Sequence, residues 1–301
     1  MSDLSVIILT YNEEIHIERC IRSLQPIAGK IFVVDSFSTD HTMEIAESLC
    51  AQVVQRKWKN YADQFQWGLD TCSESTTWVM RMDADEYLDP DLQKELPKLL
   101  AEAPEDLVGI YIKRKVFFEG KWIRFGGFYP QVLLRIWRVG MGHIEQRWMD
   151  EHIILLPDSK TIIAKGHIID DNQKGITFWI DKHNKYASRE AVDLLSIKYE
   201  LLAQDNDLRT TNDPQARRKR IIKENIYSRL PGGLRAFFYF CYRYFLLLGF
   251  LDGKKGFVWH FMQGFWYRLL VDLKISEIEK RSGGDPEKIK QILRDQHGLK
   301  I

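Results

Sequence analysis

Asp83, Asp85 and Glu86 close the stretch Trp-Val-Met-Arg-Met-Asp-Ala-Asp-Glu-Tyr-Leu-Asp, which runs from Trp78 to Asp89. Its apolar, β-branched and aromatic start predicts a buried strand. Alternate residues of an extended segment face the same way, so Asp83 and Asp85 are expected to face one spot at the strand end. Hard oxygen ligands there suit Mg²⁺ or Mn²⁺, and such an ion in turn binds a diphosphate. The same residues also suit an acidic turn leading into a helix capped by Asp89.

Two upstream segments repeat the pattern of an apolar run ending in polar groups. Leu4 to Glu14 reads Leu-Ser-Val-Ile-Ile-Leu-Thr-Tyr-Asn-Glu-Glu, a strand ending at Thr10. Lys30 to Asp40 reads Lys-Ile-Phe-Val-Val-Asp-Ser-Phe-Ser-Thr-Asp, a strand ending at Asp35. Helices fit between them. Glu13 to Leu24 places Ile15, Cys20, Ile21 and Leu24 near one helical face, Asp40 caps a helix through Cys50, and Tyr61 to Thr71 is helical. Ala51 to Gln55 is a short strand, and Asp89 caps a helix towards Leu100. Alternating β and α elements predict an α/β fold with a mostly parallel sheet and ligands beyond the carboxyl ends of its strands. Thr10, Asp35 and Asp83 all fall at such ends.

These strand ends together with Asp83-Ala84-Asp85 resemble the nucleotide-binding half of the family 2 glycosyltransferases, which have the GT-A fold. The second-strand motif of that family, V-D-D-G-S-T-D, reads Val34-Asp35-Ser36-Phe37-Ser38-Thr39-Asp40 here. Phe37 replaces a glycine, a residue permissive for positive φ, so the conformation of that turn is open. Asp35, the base-reading position in the family, is intact. The resemblance covers roughly Leu4 to Ala191. It is nearest to bacterial enzymes that extend lipopolysaccharide core or related surface glycans, with support from Tyr129-Pro130, Leu134-Arg135 and Lys185-Tyr186-Ala187. It implies that Thr10, Glu13, Asp35, Arg81 and Asp83 bind a nucleotide sugar, with uridine as the base. Metal ligands would be Asp85 and Asp83, with His167 ranked below them because a lone histidine after a strand is more often hydrogen-bonded structure.

The middle of the chain is strand-rich, with runs over Val108 to Phe118 and Val132 to Val139 around a Gly126-Gly127-Phe128-Tyr129-Pro130 loop. Within the resemblance this is the acceptor side. Met149-Asp150-Glu151-His152 precedes another apolar run, Ile153 to Leu156. An acidic pair there is most often a solvated turn, but the family's catalytic base lies in this region, and Asp150 and Glu151 both stand for it.

The last third carries a separate signal. Ile226 to Val271 holds fifteen aromatics in 46 residues, with six Lys or Arg and one acid, Asp252. Ala236 to Leu251 is broken only by Arg243, and its sixteen residues fall short of the roughly 20 needed to span a bilayer. Amphipathic rings with interspersed cations suit the headgroup boundary. Arg217-Arg218-Lys219-Arg220 just upstream is the pattern of a solvated helix face, and its alternative reading is added attraction to anionic lipid. A helical pair packed on the catalytic domain or in a dimer is the other reading.

The expected organisation is a nucleotide-sugar-binding half over 1–105, an acceptor half of the same domain over 106–225, and a helical, membrane-associated segment over 226–301. A net charge of +1 offers no global basic field for nucleic acid. Cys20, Cys50, Cys72 and Cys241 lack metal spacing and read as reduced core thiols of a cytoplasmic protein. The first strand starts at once, so no signal peptide is expected. No G-x-G-x-x-G follows it and no P-loop motif occurs, which argues against a dinucleotide-dependent oxidoreductase or a P-loop enzyme. The resulting expectation is an inverting transfer from a nucleotide-diphosphate sugar to a lipid-linked or lipopolysaccharide-type acceptor, at the inner face of the plasma membrane. A nucleotidyltransferase and a non-catalytic membrane-binding protein are the alternatives.

Overall fold

The computed structural model describes residues 3–72, 76–145, 152–201 and 233–297. They fall into two compact units, one formed by the chain up to Lys174 apart from Phe125–Gly127, the other by that short stretch with the chain from Gly175 onward.

The first unit is built on one sheet of nine strands. These are β1 (Leu4–Thr10), β2 (Lys30–Asp35), β3 (Gln52–Gln55), β4 (Trp78–Asp83), β5 (Glu86–Leu88), β6 (Leu107–Phe118), β7 (Lys121–Ile123), β8 (Gln131–Arg138) and β11 (Lys160–Asp170). Their order is β3-β2-β1-β4-β8-β6-β11-β5, with β7 paired to β6. Pairing is parallel from β3 to β4 and between β6 and β11, while β8 is antiparallel to both of its neighbours. Two reversals cancel, so β1, β2, β3, β4, β6 and β11 run in one direction and their carboxyl ends share one edge. This is the mostly parallel sheet expected from the strand–helix alternation, in keeping with the GT-A fold that the resemblance implies. A small hairpin, β9 (Gly142–Ile144) with β10 (Ile153–Leu155), lies off the sheet path.

Both faces of the sheet are covered, which is why β1 and β2 read as unbroken apolar runs. Val6, Ile8, Val33, Met80 and Met82 pack with Ile17, Cys20, Ile21 and Leu24 of α1 (Ile17–Leu24), Ala46 of α2 (Thr42–Ser48), and Leu92 and Leu96 of α4 (Pro90–Ala101). Ile7, Phe32, Val34 and Val79 pack on the other side with Ala62, Phe65 and Leu69 of α3 (Tyr61–Cys72) and with Trp137. Two expectations need correction. Ile15 is 49% exposed because α1 begins only at Ile17, leaving Ile15 in the preceding turn. Cys50 is exposed rather than in the core, at a left-handed φ of 62° just after α2, whereas Cys20 is buried.

The second unit is helical among its described residues. It contains α5 (Gly175–Lys198), α6 (Leu234–Cys241), α7 (Gly253–His260), α8 (Tyr267–Ser282) and α9 (Pro286–His297), with π-helical turns over Tyr242–Leu246 and Phe261–Trp266. Val192 and Leu195 of α5 pack on Ile278, Ile289 and Leu293, and Ala187 and Ala191 on Tyr267 and Val271. Glu190 accepts hydrogen bonds from Tyr267 and Arg268, each at 2.7 Å. The Phe125–Gly127 stretch is tied in by its backbone. Phe125 N donates to Asp252 and Gly126 N to the Leu247 carbonyl, while Arg243 Nε donates to the Gly126 carbonyl, all at 2.9 Å. Glycine is required at 126, where φ is +68° and a Cβ would lie 2.2 Å from the His260 ring.

Candidate active site

Parallel register sets the first pair of site residues side by side, with Thr10 opposite Asp35 across β1 and β2. Asp35 is fully buried and saturated with donors. The Thr10 and Ser38 hydroxyls donate to Oδ1 at 2.9 and 2.5 Å, and Ser38 N and Gln55 Nε2 donate to Oδ2 at 2.8 and 3.3 Å. Asp35 therefore organises the turn after β2 as well as standing at the strand end. Phe37 settles the question left by the missing glycine, because it adopts φ 61° with its ring 53% exposed. The glycine conformation is retained at the steric cost of a Cβ in the left-handed region.

Glu13 lies in the loop after β1, where its Oε1 accepts from Lys174 Nζ at 2.6 Å and its Oε2 is 2.7 Å from His16 Nδ1. The fully buried His16 ring accepts from Gln173 N through Nε2 at 2.8 Å, so Nδ1 carries the proton towards Glu13.

At the end of β4 the alternation seen in the sequence persists, with Ala84 and Glu86 buried and Asp83 and Asp85 half-buried. Asp85 is not on the strand, however; it sits in a two-residue turn between β4 and β5. Asp83 Oδ1 accepts from the Tyr61 hydroxyl at 2.6 Å, and Oδ2 lies 3.8 Å from Arg135. Burial disfavours its charge, but Arg81 and Arg135 outweigh burial and, with Tyr61, hold the Asp83 carboxyl well below the usual carboxylate range. Arg81 stacks its guanidinium 4.4 Å over the Tyr61 ring.

Glu86 differs in kind. It is buried, accepts from Arg135 Nη2 at 2.5 Å and receives the Asp83 backbone N–H at 3.1 Å. Burial, opposed by Arg135 and reinforced by the Asp83 charge, pushes it up to about 7. Arg114 lies between Glu86 at 3.7 Å and Asp170 at 3.3 Å, so one ionic network crosses β8, β6, β11 and β5.

Asp85 is held by the segment that follows β11, which the sequence pattern did not single out. Asn172 Nδ2 donates to Asp85 Oδ2 at 2.9 Å, and Asp171 N donates to the Asp85 carbonyl at 3.2 Å. Arg19, 2.7 Å from Asp171, reaches the same carbonyl at 3.4 Å. The segment Asp170 to Lys174 thus follows a fourth strand end on the shared edge. The rule that singled out Thr10, Asp35 and Asp83 applies equally to the polar run after β11.

His167 is engaged on both ring nitrogens, Nδ1 at 3.0 Å from Asp89 and Nε2 at 2.8 Å from the Tyr129 hydroxyl. Burial and Lys115 lower its pKa despite Asp89. Asp150 and Glu151 lie outside the described residues.

Among the described residues, no group of three or more His, Cys, Asp or Glu side chains is placed to hold a metal ion. The donor set nevertheless fits Mg²⁺ or Mn²⁺ chemistry. Mg²⁺ is usually bound through one or two carboxylates and completes its shell with substrate phosphates and water. Asp85, steadied by Asn172, and a charged Asp83 meet that requirement at a strand end.

The sequence model described as "Glycosyl transferase family 2" matches residues 5–165. A lipopolysaccharide core biosynthesis glycosyltransferase, LpsC of Rhizobium meliloti, is 32% identical over 199 residues, covering 62% of this chain and 70% of that protein. An uncharacterized glycosyltransferase of Rickettsia bellii is 42% identical over 103 residues, 34% of each chain. The aligned part thus spans about a third of the Rickettsia protein. Among solved structures, glucosyl-3-phosphoglycerate synthase from Mycobacterium tuberculosis, in complex with Mn²⁺, UDP and glucosyl-3-phosphoglycerate, is 25% identical over 39% of this chain and 44% of its own, at a TM-score of 0.29.

Proposed function

This chain belongs to glycosyl transferase family 2, and on that premise we propose that it moves a sugar from a UDP-type nucleotide-diphosphate donor to a hydroxyl of a lipid-linked, lipopolysaccharide-type glycan, with inversion at the anomeric carbon. The observation that carries this reading is the placement of Thr10, Asp35, Asp83 and Asp85 at one edge of the sheet, with Asp83 held charged. LpsC, by its name a lipopolysaccharide core enzyme, supports the acceptor class. The same reading sets the reaction at a membrane surface, the proposed one being the cytoplasmic face of the inner membrane.

The chain's own groups divide the work. Thr10, Asp35 and Glu13 form the polar floor for the nucleoside, and Arg81, with Arg135, keeps the Asp83 carboxylate charged. Asp85, with Asp83, would hold Mg²⁺ or Mn²⁺, which offsets the charge that develops on the departing diphosphate. Asn172 and Arg19 fix Asp85 by its side chain and carbonyl, and the Glu86–Arg135 pair fixes the backbone of Asp83. A carboxylate at Asp150 or Glu151 accepts the acceptor hydroxyl proton as that oxygen bonds to the anomeric carbon. The bond from that carbon to the diphosphate oxygen breaks in the same displacement, and its electron pair leaves with the nucleoside diphosphate.

A thermal-shift and turnover screen of nucleotide sugars with Mn²⁺ tests the reading, since a ligand that binds only the folded state raises Tm by mass action. A UDP-sugar should raise Tm in a metal-dependent way and release UDP when acceptor glycan is added. No shift with any nucleotide sugar would overturn the donor assignment.

A further inference from the structure

In the helical unit the chain bends by 71° between Leu234–Leu246 and Gly249–Ser282. Leu248 makes the corner at a left-handed φ of 60°. The outer side of that corner is apolar, with Leu246 73% exposed and Phe245, Leu248, Phe250 and Leu251 each exposed by 44% or more. Phe238 of α6 is exposed as well. Five exposed apolar side chains within the seven residues from Phe245 to Leu251 are a cluster, unlike the singly scattered hydrophobes of an ordinary surface, and such a cluster marks an interaction site.

Charge selects the occupant. Of the charged residues between 233 and 271, Arg243 and Asp252 are buried, Arg235 is ion-paired with Asp272, and Arg268 with Glu190. Lys254 and Lys255 are the exposed charges of that stretch, three and four residues beyond Leu251. A dry apolar corner rimmed by cations complements a bilayer surface with anionic headgroups. Leu234–Leu246 and Gly249–Ser282 have the length and composition of a span only when taken together, and the 71° bend between them interrupts that run. Leu234 to Leu246 is thirteen residues, about 20 Å at helical rise, against a hydrocarbon core of about 30 Å. No single helix among the described residues is long and apolar enough to span.

We propose that this elbow is a monotopic seat, in which Leu246, Leu248, Phe250 and Leu251 enter one leaflet while Lys254 and Lys255 stay with the phosphates. The seat rests on the lipid-linked-acceptor reading for its purpose alone, because its geometry is independent of the donor site. It differs from a helix lying flat, because the bend concentrates the apolar side chains at a corner.

The test uses the full chain and vesicles of phosphatidylcholine with or without phosphatidylglycerol. Leu246→Glu/Leu251→Glu changes two exposed side chains, so Tm should hold while vesicle partitioning falls by about tenfold or more. Lys254→Gln/Lys255→Gln should lower partitioning by about tenfold on anionic vesicles and hardly at all on phosphatidylcholine. A nitroxide at Leu246→Cys should sit below the phosphates, and one at Lys254→Cys at their level. Partitioning unchanged in both double variants would overturn the seat, as would a dimer in solution that Leu246→Glu/Leu251→Glu dissolves. UDP release from donor with a water-soluble acceptor fragment keeps the two readings apart. Its survival in a protein that ignores vesicles removes the seat and leaves the transferase, and its absence in a protein that binds them does the reverse.

Discussion

Tyr61 donates its phenolic proton to Asp83 Oδ1 at 2.6 Å, tying the first turn of α3 to the end of β4. A hydrogen bond to a charged group is worth about 1.5–3 kcal/mol, and this one orients a carboxylate assigned to the metal and diphosphate. Tyr61→Phe should therefore weaken UDP-sugar binding by about tenfold or more while leaving Tm within a few degrees. Calorimetric titration with Mn²⁺ present checks it, and unchanged affinity would mean that Asp83 is oriented by Arg81 and Arg135 alone.

Asp85→Ala should be more severe. Losing the ion forfeits several kcal/mol of charge stabilisation, about a hundredfold or more in turnover. Metal-dependent thermal stabilisation by nucleotide should vanish too. Asn172→Ala, which removes only the side-chain brace on Asp85, should raise the Mn²⁺ concentration needed for half-maximal rate and be largely rescued by excess metal. Full activity of Asp85→Ala and Asp83→Ala in chelator-treated buffer would rule the site out.

Much of this site is legible from sequence because strand ends advertise themselves. An apolar run followed at once by Thr10, Asp35 or Asp83 is a local pattern, and parallel register then aligns the three. The supports are not local. Tyr61 and Asp83 are 22 residues apart and meet because α3 packs on the sheet, while Asn172 and Asp85, 87 apart, meet because β11 lies on the far side of β6 and β8. Asp170 to Lys174 bears the same strand-end signature but follows a strand whose place in the sheet comes from pairing rather than periodicity. Phe37 shows the converse. Propensity argues against a left-handed phenylalanine, yet the Asp35–Ser38 hydrogen bonds hold the turn and the tertiary context prevails.

That turn gives a stability prediction. A left-handed non-glycine residue costs roughly 1–2 kcal/mol, and glycine returns about 0.5–1 kcal/mol of that through chain entropy. Phe37→Gly should therefore be neutral to slightly stabilising in urea unfolding. Phe37→Val, which brings a β-branched side chain to the same φ, should destabilise. Equal losses in both variants would mean the ring itself packs in the fold.

Glu86 predicts a pH signature. Its folded pKa, pushed up to about 7, lies above its ordinary value of 4.5, so the native state binds the proton more tightly than the unfolded state. Its stabilising contribution is complete below about pH 4.5 and declines as pH rises through about 7. Subtracting the unfolding free energy of Glu86→Gln from that of the parent should give a difference that falls across this window. A difference that rises with pH would show that Arg135 controls Glu86 and depresses its pKa instead.

For the proton acceptor, Asp150→Asn should lose turnover and keep donor affinity, since the shape is kept and the charge is lost. Glu151→Gln should be milder. The reverse order would assign the base to Glu151, and full turnover in both would place it elsewhere.

Glycosyl transfer from a nucleoside-diphosphate sugar at the Asp83–Asp85 strand end is decided by the products of one reaction. Purified protein is incubated with Mn²⁺, a UDP-sugar and a lipopolysaccharide-type acceptor, and the nucleotide product and the anomeric configuration of the new bond are read together. The expected products are UDP and, in equal amount, a glycoside of inverted configuration, with neither formed by Asp85→Ala. Pyrophosphate released from a nucleoside triphosphate and a sugar phosphate, with no glycosidic bond made, would contradict it.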